Sequence, residues 1–259
     1  MPRFSTNLST MFTELPFLER FAAARDAGFE AVEFQFPYET GLDDLKAAID
    51  GIGLPIAVFN HKVGALDQGE PGTAAMPGAE DTFKAYLEET FRYADALRPM
   101  NVNVLAGWPS MEEFTRDACL ETLAGNLNLA ADAMSGIGVR VITEAVNTAD
   151  RPGFLLHSTG QAVGLIEAAG HANLGIEHDL YHMQIMEGDL VRTVEANLEH
   201  IGHIQFADTP GRHEPGTGEI NYPYVFEAMD RAGWKGFLGA EYHPRTTTGD
   251  SLGWLQPYL

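Results

Sequence analysis

Four oxygen-bearing side chains stand at or near the C-terminal ends of four consecutive apolar, strand-like runs. They are Glu144 in VRVITEAVN, Asp179 in LGIEHDLYH, Gln205 in IGHIQFADTP and Glu241 in GFLGAEYHP. Three carboxylates and an amide oxygen make a hard, oxygen-only donor set, which suits Mg²⁺ or Mn²⁺. Any one of these acids alone has an ordinary explanation, capping the next helix or pairing with a base. Finding comparable groups on four successive strands is different, because neighbouring carboxylates repel unless a cation neutralises them. Three of them around a divalent ion leave a net charge of about −1. Glu177 sits two residues before Asp179 and points to the same side of a strand, so spacing alone admits either as a ligand. Asp179 is nearer the strand end and is the one assigned.

Further polar residues cluster at the same ends. His182 follows Asp179 by three positions in DLYHMQ, and Arg212, His213 and Arg245 follow the last two strand runs. The arginine fork suits a planar carboxylate, held through two parallel hydrogen bonds. His61 and Lys62 are weaker candidates after the third run, while His157, His171 and His200 lie in connecting segments with no chemical role expected. No GxGxxG opens a first helix, no GK[ST] follows GEPG or GTGE, and no GxSxG elbow is present. Cys119 is the only cysteine, which excludes an internal disulfide and any cysteine-based zinc cluster.

Residues about 100 positions apart can share one small site only if the strand ends converge, as they do at the mouth of a closed parallel barrel. The chain has the elements for one. Eight β-branched-rich runs alternate with helical patterns: PRFSTNLS near residue 4, AVEFQF from Ala31, PIAVFN from Pro55 and NVNVLAG from Asn101, then GVRVITEAV from Gly138, NLGIEHDL from Asn173, HIGHIQFAD from His200 and GFLGAEYH from Gly236. The helical stretch PFLERFAAARDAGF should stop at Gly28, DDLKAAIDGIG at Gly51 and STGQAVGLIEAAG at Gly170, the last capped by Ser158 or Thr159. EDTFKAYLEETFRYADALRP should end before Pro99, and YPYVFEAMDRAGWKG at Gly233. Two long polar segments, HKVGALDQGEPGTAAMPGAED and TPGRHEPGTGEINYP, read as loops over the barrel mouth after strands 3 and 7. The reading is a single (β/α)8 TIM barrel over residues 1–259, α/β in class.

Bulk charge restricts the partners. Sixteen Lys plus Arg against 37 Asp plus Glu give a net charge of −21. Such a field repels nucleic acid and anionic membranes, so neither is expected as a partner. A small anionic substrate would have to be held by local cations and a metal. No apolar run approaches the ~18 residues of a membrane span, and the N-terminal MPRFSTNLSTMF has no signal-like apolar stretch, so a cytoplasmic location is expected. Trp234, Trp254 and Tyr258 offer either cover for the outer helices or a contact in a homo-oligomer.

With these motifs in view the chain resembles the hydroxypyruvate isomerase family, within the xylose-isomerase-like and endonuclease-IV-like superfamily of TIM barrels. PRFSTNLS, AVEFQFPY, TEAVN, DLYHMQIMEGDL, HIQFADTPGRHEPGTGEINY and GAEYHP carry the likeness nearly end to end, HEPGTGEINY most specifically. The resemblance implies that Glu144 and Glu241 are the paired acid/base carboxylates and also metal ligands, with Asp179 and Gln205 completing the coordination. It implies that Asp150, His182 and Arg212 face the substrate. The implied reaction interconverts hydroxypyruvate and 2-hydroxy-3-oxopropanoate by metal-assisted proton transfer through an enediolate. A relative of the same family acts on 2-oxo-tetronate, so the substrate stays open between the two. Relatives commonly carry Lys after EY in the last strand motif, where this chain has His243.

Overall fold

The computed structural model describes residues 1–64 and 70–259. Eight parallel strands close on themselves in sequence order. They are β1 Arg3–Asn7, β2 Ala31–Phe34, β3 Ile56–Asn60, β4 Asn101–Asn103, β5 Arg140–Glu144, β6 Leu174–Asp179, β7 Ile201–Phe206 and β8 Phe237–Ala240. Outside them run α1 Phe17–Asp26, α2 Leu42–Ile52, α3 Glu80–Leu97, α4 Arg116–Ser135, α5 Thr159–Ala169, α6 Leu180–Met186, α7 Leu190–Asn197 and α8 Tyr222–Ala232. A short α9, Thr248–Ser251, and two 3-10 turns finish the chain. This is the expected barrel, and each of the eight strand-like runs contains one strand.

The alternation of side chains along each strand explains why the barrel forms. One set is apolar and meets the helices: Phe34 of β2 packs on Phe21 of α1, and Phe4 of β1 and Phe206 of β7 both pack on Phe226 of α8. The other set is polar and lines the barrel, from Ser5 and Asn7 through Glu33, Asn103, Glu144 and Glu177 to His203 and Gln205. The hydrophobic core therefore lies between strands and helices. The barrel's inside is left for chemistry.

Local signals set most element ends. Ser158 Oγ accepts the Gln161 backbone N–H at 3.3 Å, and α5 stops at Gly170. Helix α2 runs through Gly51 and stops at Gly53, because Gly53 takes the left-handed conformation (φ 67°). The sequence reading did not single out α4; it buries Cys119, Leu123, Leu127, Ala130 and Met134, a stripe diluted by alanine and asparagine.

The connection after β3 covers 61–79, and its expected loop includes 65–69, which lie outside the described residues. The loop after β7 is tied from within. Asp208 is fully buried and accepts backbone N–H groups of Thr209, Gly216, Gly218 and Ile220 at 2.8–3.1 Å. Trp254 and Tyr258 pack on Phe4 and Phe226, so they cover the barrel's own helices. Among the described residues no helix is long and apolar enough to cross a membrane.

Candidate active site

The C-terminal strand ends surround a cavity of about 1170 Å³. Glu144, Asp150, His182, Gln205, Arg212 and Glu241 all line it. Asp179 sits just behind the wall, with Oδ2 3.5 Å from both His182 Nε2 and Arg212 Nη2. Lys62 and His243 also line the cavity, whereas His61, His213 and Arg245 stand outside it. Side chains from β5 to β8 and the segments after them thus gather around one cavity.

Each acid has a distinct setting. Glu144 ends β5; its Oε2 accepts from Asn103 Nδ2 at 3.3 Å, and its Oε1 lies 3.7 Å from His182 Nε2. Asp179 ends β6 and divides its oxygens: Oδ1 caps α6 by accepting the Tyr181 N–H at 2.8 Å, leaving Oδ2 for the site. The ordinary helix-capping role and the site role coexist on one residue. Glu241 follows β8; its Oε1 accepts from Asn7 Nδ2 and Gln35 Nε2, both at 2.9 Å, and its Oε2 pairs with Arg212. Gln205 donates Nε2 to Glu33 Oε1 at 2.7 Å, so its oxygen is the end left for the cavity.

Below these lies a second polar layer that sequence reasoning passed over. Glu33 is fully buried, 2.8 Å from both His203 Nε2 and Ser5 Oγ. A Cβ at position 239 would run into both Glu33 oxygens and His203 Nε2, so only glycine fits there. Burial pushes the Glu33 carboxyl up, but the charge of His203 and bonds from His203, Gln205 and Ser5 outweigh it and hold it below the usual range. The signal was present in the sequence: Glu33, His203 and Ser5 fall on the inward period of their strands.

The upper acids behave in the opposite way. Burial, then the charges of Asp179 and Glu241, hold the Glu144 carboxyl well above the ordinary range. Glu177 is raised by burial and by Glu144, Glu33, Glu241 and Asp179 in turn. Asp179 is raised to about 7 by burial, against the pull of Arg212. His182 is kept neutral, chiefly by burial, then by Arg212 and Arg151. The site concentrates more negative charge than its own cations compensate.

That imbalance fits a metal cation. Glu144, Asp179 and His182 each offer one atom, all within 4.8 Å of one another. Glu144 Oε1, Glu177 Oε1, Asn103 Oδ1 and Arg212 Nε, all on residues lining the cavity, are buried without a hydrogen-bond partner among the described residues. Buried polar atoms are nearly always satisfied, so several unsatisfied ones around a single cavity mark a place for a ligand. The sequence reading also missed Asn7, Gln35, Asn103, Asn147 and Arg151, since these four amides lie outside the run of acid-bearing strand ends that marked Gln205 and Arg151 acquires its position only in three dimensions. Lys62 is tied to Glu89 and Arg212 to Asp179 and Glu241. Arg151 lines the cavity and forms no ion pair among the described residues.

Comparison with known proteins agrees with the fold. The model of the xylose isomerase-like TIM barrel family matches residues 21–258. The chain belongs to that family and is an enzyme of isomerase type. It is 44% identical to a 2-oxo-tetronate isomerase of Cupriavidus necator, covering 100% of this chain and 99% of the relative. It is 42% identical to the hydroxypyruvate isomerase of Escherichia coli, covering 100% of both. A crystal structure from Brucella melitensis, described as an AP endonuclease of family 2, superposes with a TM-score of 0.96 at 41% identity, over 100% of this chain and 99% of that one.

Proposed function

We propose that this enzyme shifts a carbonyl between adjacent carbons of a small keto-acid, interconverting hydroxypyruvate and 2-hydroxy-3-oxopropanoate or the corresponding isomers of four-carbon 2-oxo-tetronate. The observation that carries the reading is Glu144, buried with one oxygen unpartnered, lining the same cavity as Glu241. Relatives similar along the whole chain carry both isomerase names, which supports both substrates equally.

Glu144, Asp179, Glu241 and the amide oxygen of Gln205 would hold Mg²⁺ or Mn²⁺, which supplies Lewis-acid polarisation of the substrate carbonyl and so acidifies the neighbouring C–H. One of Glu144 and Glu241 takes that proton, and the other returns a proton to the adjacent carbon. Between the two transfers the substrate is an enediolate, and the hydroxyl proton moves to the oxygen that was the carbonyl. Positioned acid–base groups of this kind contribute ~10²–10⁴-fold in rate. His182 donates to the oxygen on which charge develops. Arg212 offsets the charge of Asp179 and Glu241. Arg151, which lines the cavity and forms no ion pair among the described residues, meets the substrate carboxylate.

A nucleic-acid substrate fits poorly. The net charge of −21 and the acids lining the cavity would repel a phosphate backbone. The test is turnover of hydroxypyruvate and of 2-oxo-tetronate by the Mn²⁺-loaded protein in deuterated water, followed by NMR. Isomerisation of one or both, with deuterium entering the carbon that receives the proton, is expected. Failure of both substrates to react or exchange would overturn the reading.

A further inference from the structure

Asn147 stands three residues past β5 and is fully buried. Its amide has two partners on one residue: Oδ1 accepts the Asp150 backbone N–H at 2.8 Å, and Nδ2 donates to Asp150 Oδ2 at 2.9 Å. The ends of an amide look alike by shape, so the network must decide its orientation. Here only one orientation works. Turned over, the amide would set its oxygen against a carboxylate oxygen and its NH₂ against a backbone N–H. Asp150 Oδ2 is itself held by the Tyr181 hydroxyl at 2.7 Å, so this arrangement is braced from a second element.

The same Nδ2 lies 2.6 Å from Nδ1 of His182, which is 4% exposed. A nitrogen that faces an N–H must present its lone pair. The ring proton therefore sits on the other nitrogen, Nε2. That polarity is the reverse of a metal-bound histidine, whose spare nitrogen carries the proton and donates it to a carboxylate or carbonyl. Nε2 points toward Glu144 Oε1 and Asp179 Oδ2, but at 3.7 and 3.5 Å neither makes a good hydrogen bond with it. Its N–H is left available to something in the cavity.

We infer that Asn147 is a positioning residue that locks His182 in the Nε2–H form, so that His182 donates a hydrogen bond into the cavity and is not a metal ligand. Asp150 acts one step further out, by fixing which way the Asn147 amide faces. The compact group of Glu144, Asp179 and His182 then offers a cation two carboxylates and an N–H, and the cation must find its remaining ligands among oxygens. That the acceptor of the His182 proton is a substrate oxygen rests on the isomerase reading; the tautomer does not.

The two can be tested apart. Protein labelled with ¹⁵N-histidine, with His182→Asn for assignment, reports the tautomer directly from the ring nitrogen shifts, with no turnover required. Native protein should show Nδ1 bare and Nε2 protonated, with or without Mg²⁺. Asn147→Ala should mix the two tautomers and lower kcat by about tenfold or more, with Mg²⁺ affinity little changed. Added to His182→Asn, it should cause no further loss. Asn147→Asp supplies an acceptor in place of the donor, so the proton should move to Nδ1 and Zn²⁺ affinity should rise about tenfold through the freed Nε2. The new carboxylate would lie beside Asp150; if that variant does not fold, the native and Asn147→Ala spectra still decide. A native His182 protonated on Nδ1, or an unchanged Nε2–H form in Asn147→Ala, would overturn the inference. Absence of isomerase activity with the tautomer as stated would count against the proposed function alone.

Discussion

The two halves of the barrel mouth differ in chemistry. Strands β1 to β4 end in neutral amides: Asn7, Gln35 just past β2, Asn60 and Asn103. Strands β5 to β8 end in Glu144, Glu177, Asp179, Gln205 and Glu241, with Glu33 on β2 as the one acid of the first half's inner layer. At the two seams where the halves adjoin, amides from the first donate to single oxygens of the second: Asn7 and Gln35 to Glu241 Oε1, Asn103 to Glu144 Oε2. Neutral donors lower the cost of burying a carboxylate without cancelling its charge. Basic residues in those places would have paired with the acids and taken away both their appetite for a cation and their freedom to move a proton.

The largest effect expected of that division falls on the acidic half. Glu144→Gln and Glu241→Gln should each remove ~10²–10⁴-fold of turnover while the fold persists. Near-native rates in either purified variant would break the contrast. Stability should move in opposite directions for the two halves. In chelator-treated protein Glu144→Gln should raise the melting temperature, because it replaces a buried carboxyl whose ionised form is penalised by its surroundings. Asn7→Leu should lower it, at a cost of about 1–3 kcal/mol in folding free energy, because it strips donors from Glu241 and Glu33. Shifts of the same sign in a calorimeter would show that the halves are not opposed.

The pH dependence follows from the same acids. Asp179 sits near 7 in the folded chain, and Glu144 is also raised, so the folded state holds protons that the unfolded state releases. The stability this gives is complete below the ordinary carboxylate range and is lost as pH climbs through about 7. A cation binds the ionised forms and reverses the loss. The gain in melting temperature on adding Mn²⁺ over chelated protein should therefore grow from about pH 5 to about pH 8, whereas a flat gain would place the ion elsewhere. The smallest effect is expected at the rim. Arg151→Ala should raise KM for the keto-acid about fivefold with kcat nearly constant, as suits an exposed charge; an unchanged KM would remove Arg151 from the carboxylate's path.

How far the site was legible depended on the kind of signal each residue gives. Glu144, Asp179, Gln205 and Glu241 stood at strand ends that apolar runs made visible, so their convergence could be foreseen. Asp150 also reached the cavity, yet its Oδ2 is engaged with Asn147 and Tyr181, a pairing no spacing announces. Helix α4 was passed over because alanine and asparagine dilute its stripe. Gly51 misled because it resembles a stop, whereas Gly53 supplies the backbone turn.

The sequence by itself determined the eight alternating units, their closure into a barrel, and which strands bring acids to its mouth, because side-chain period and turn residues are local properties written along the chain. Only the tertiary structure decided which oxygen of each acid is already engaged, that Glu33 and His203 share one pocket under Gly239, and which nitrogen of His182 carries the proton. Those outcomes depend on atoms from distant strands meeting within hydrogen-bond reach, and on burial that makes each unpaired charge costly, neither of which exists until the barrel has closed.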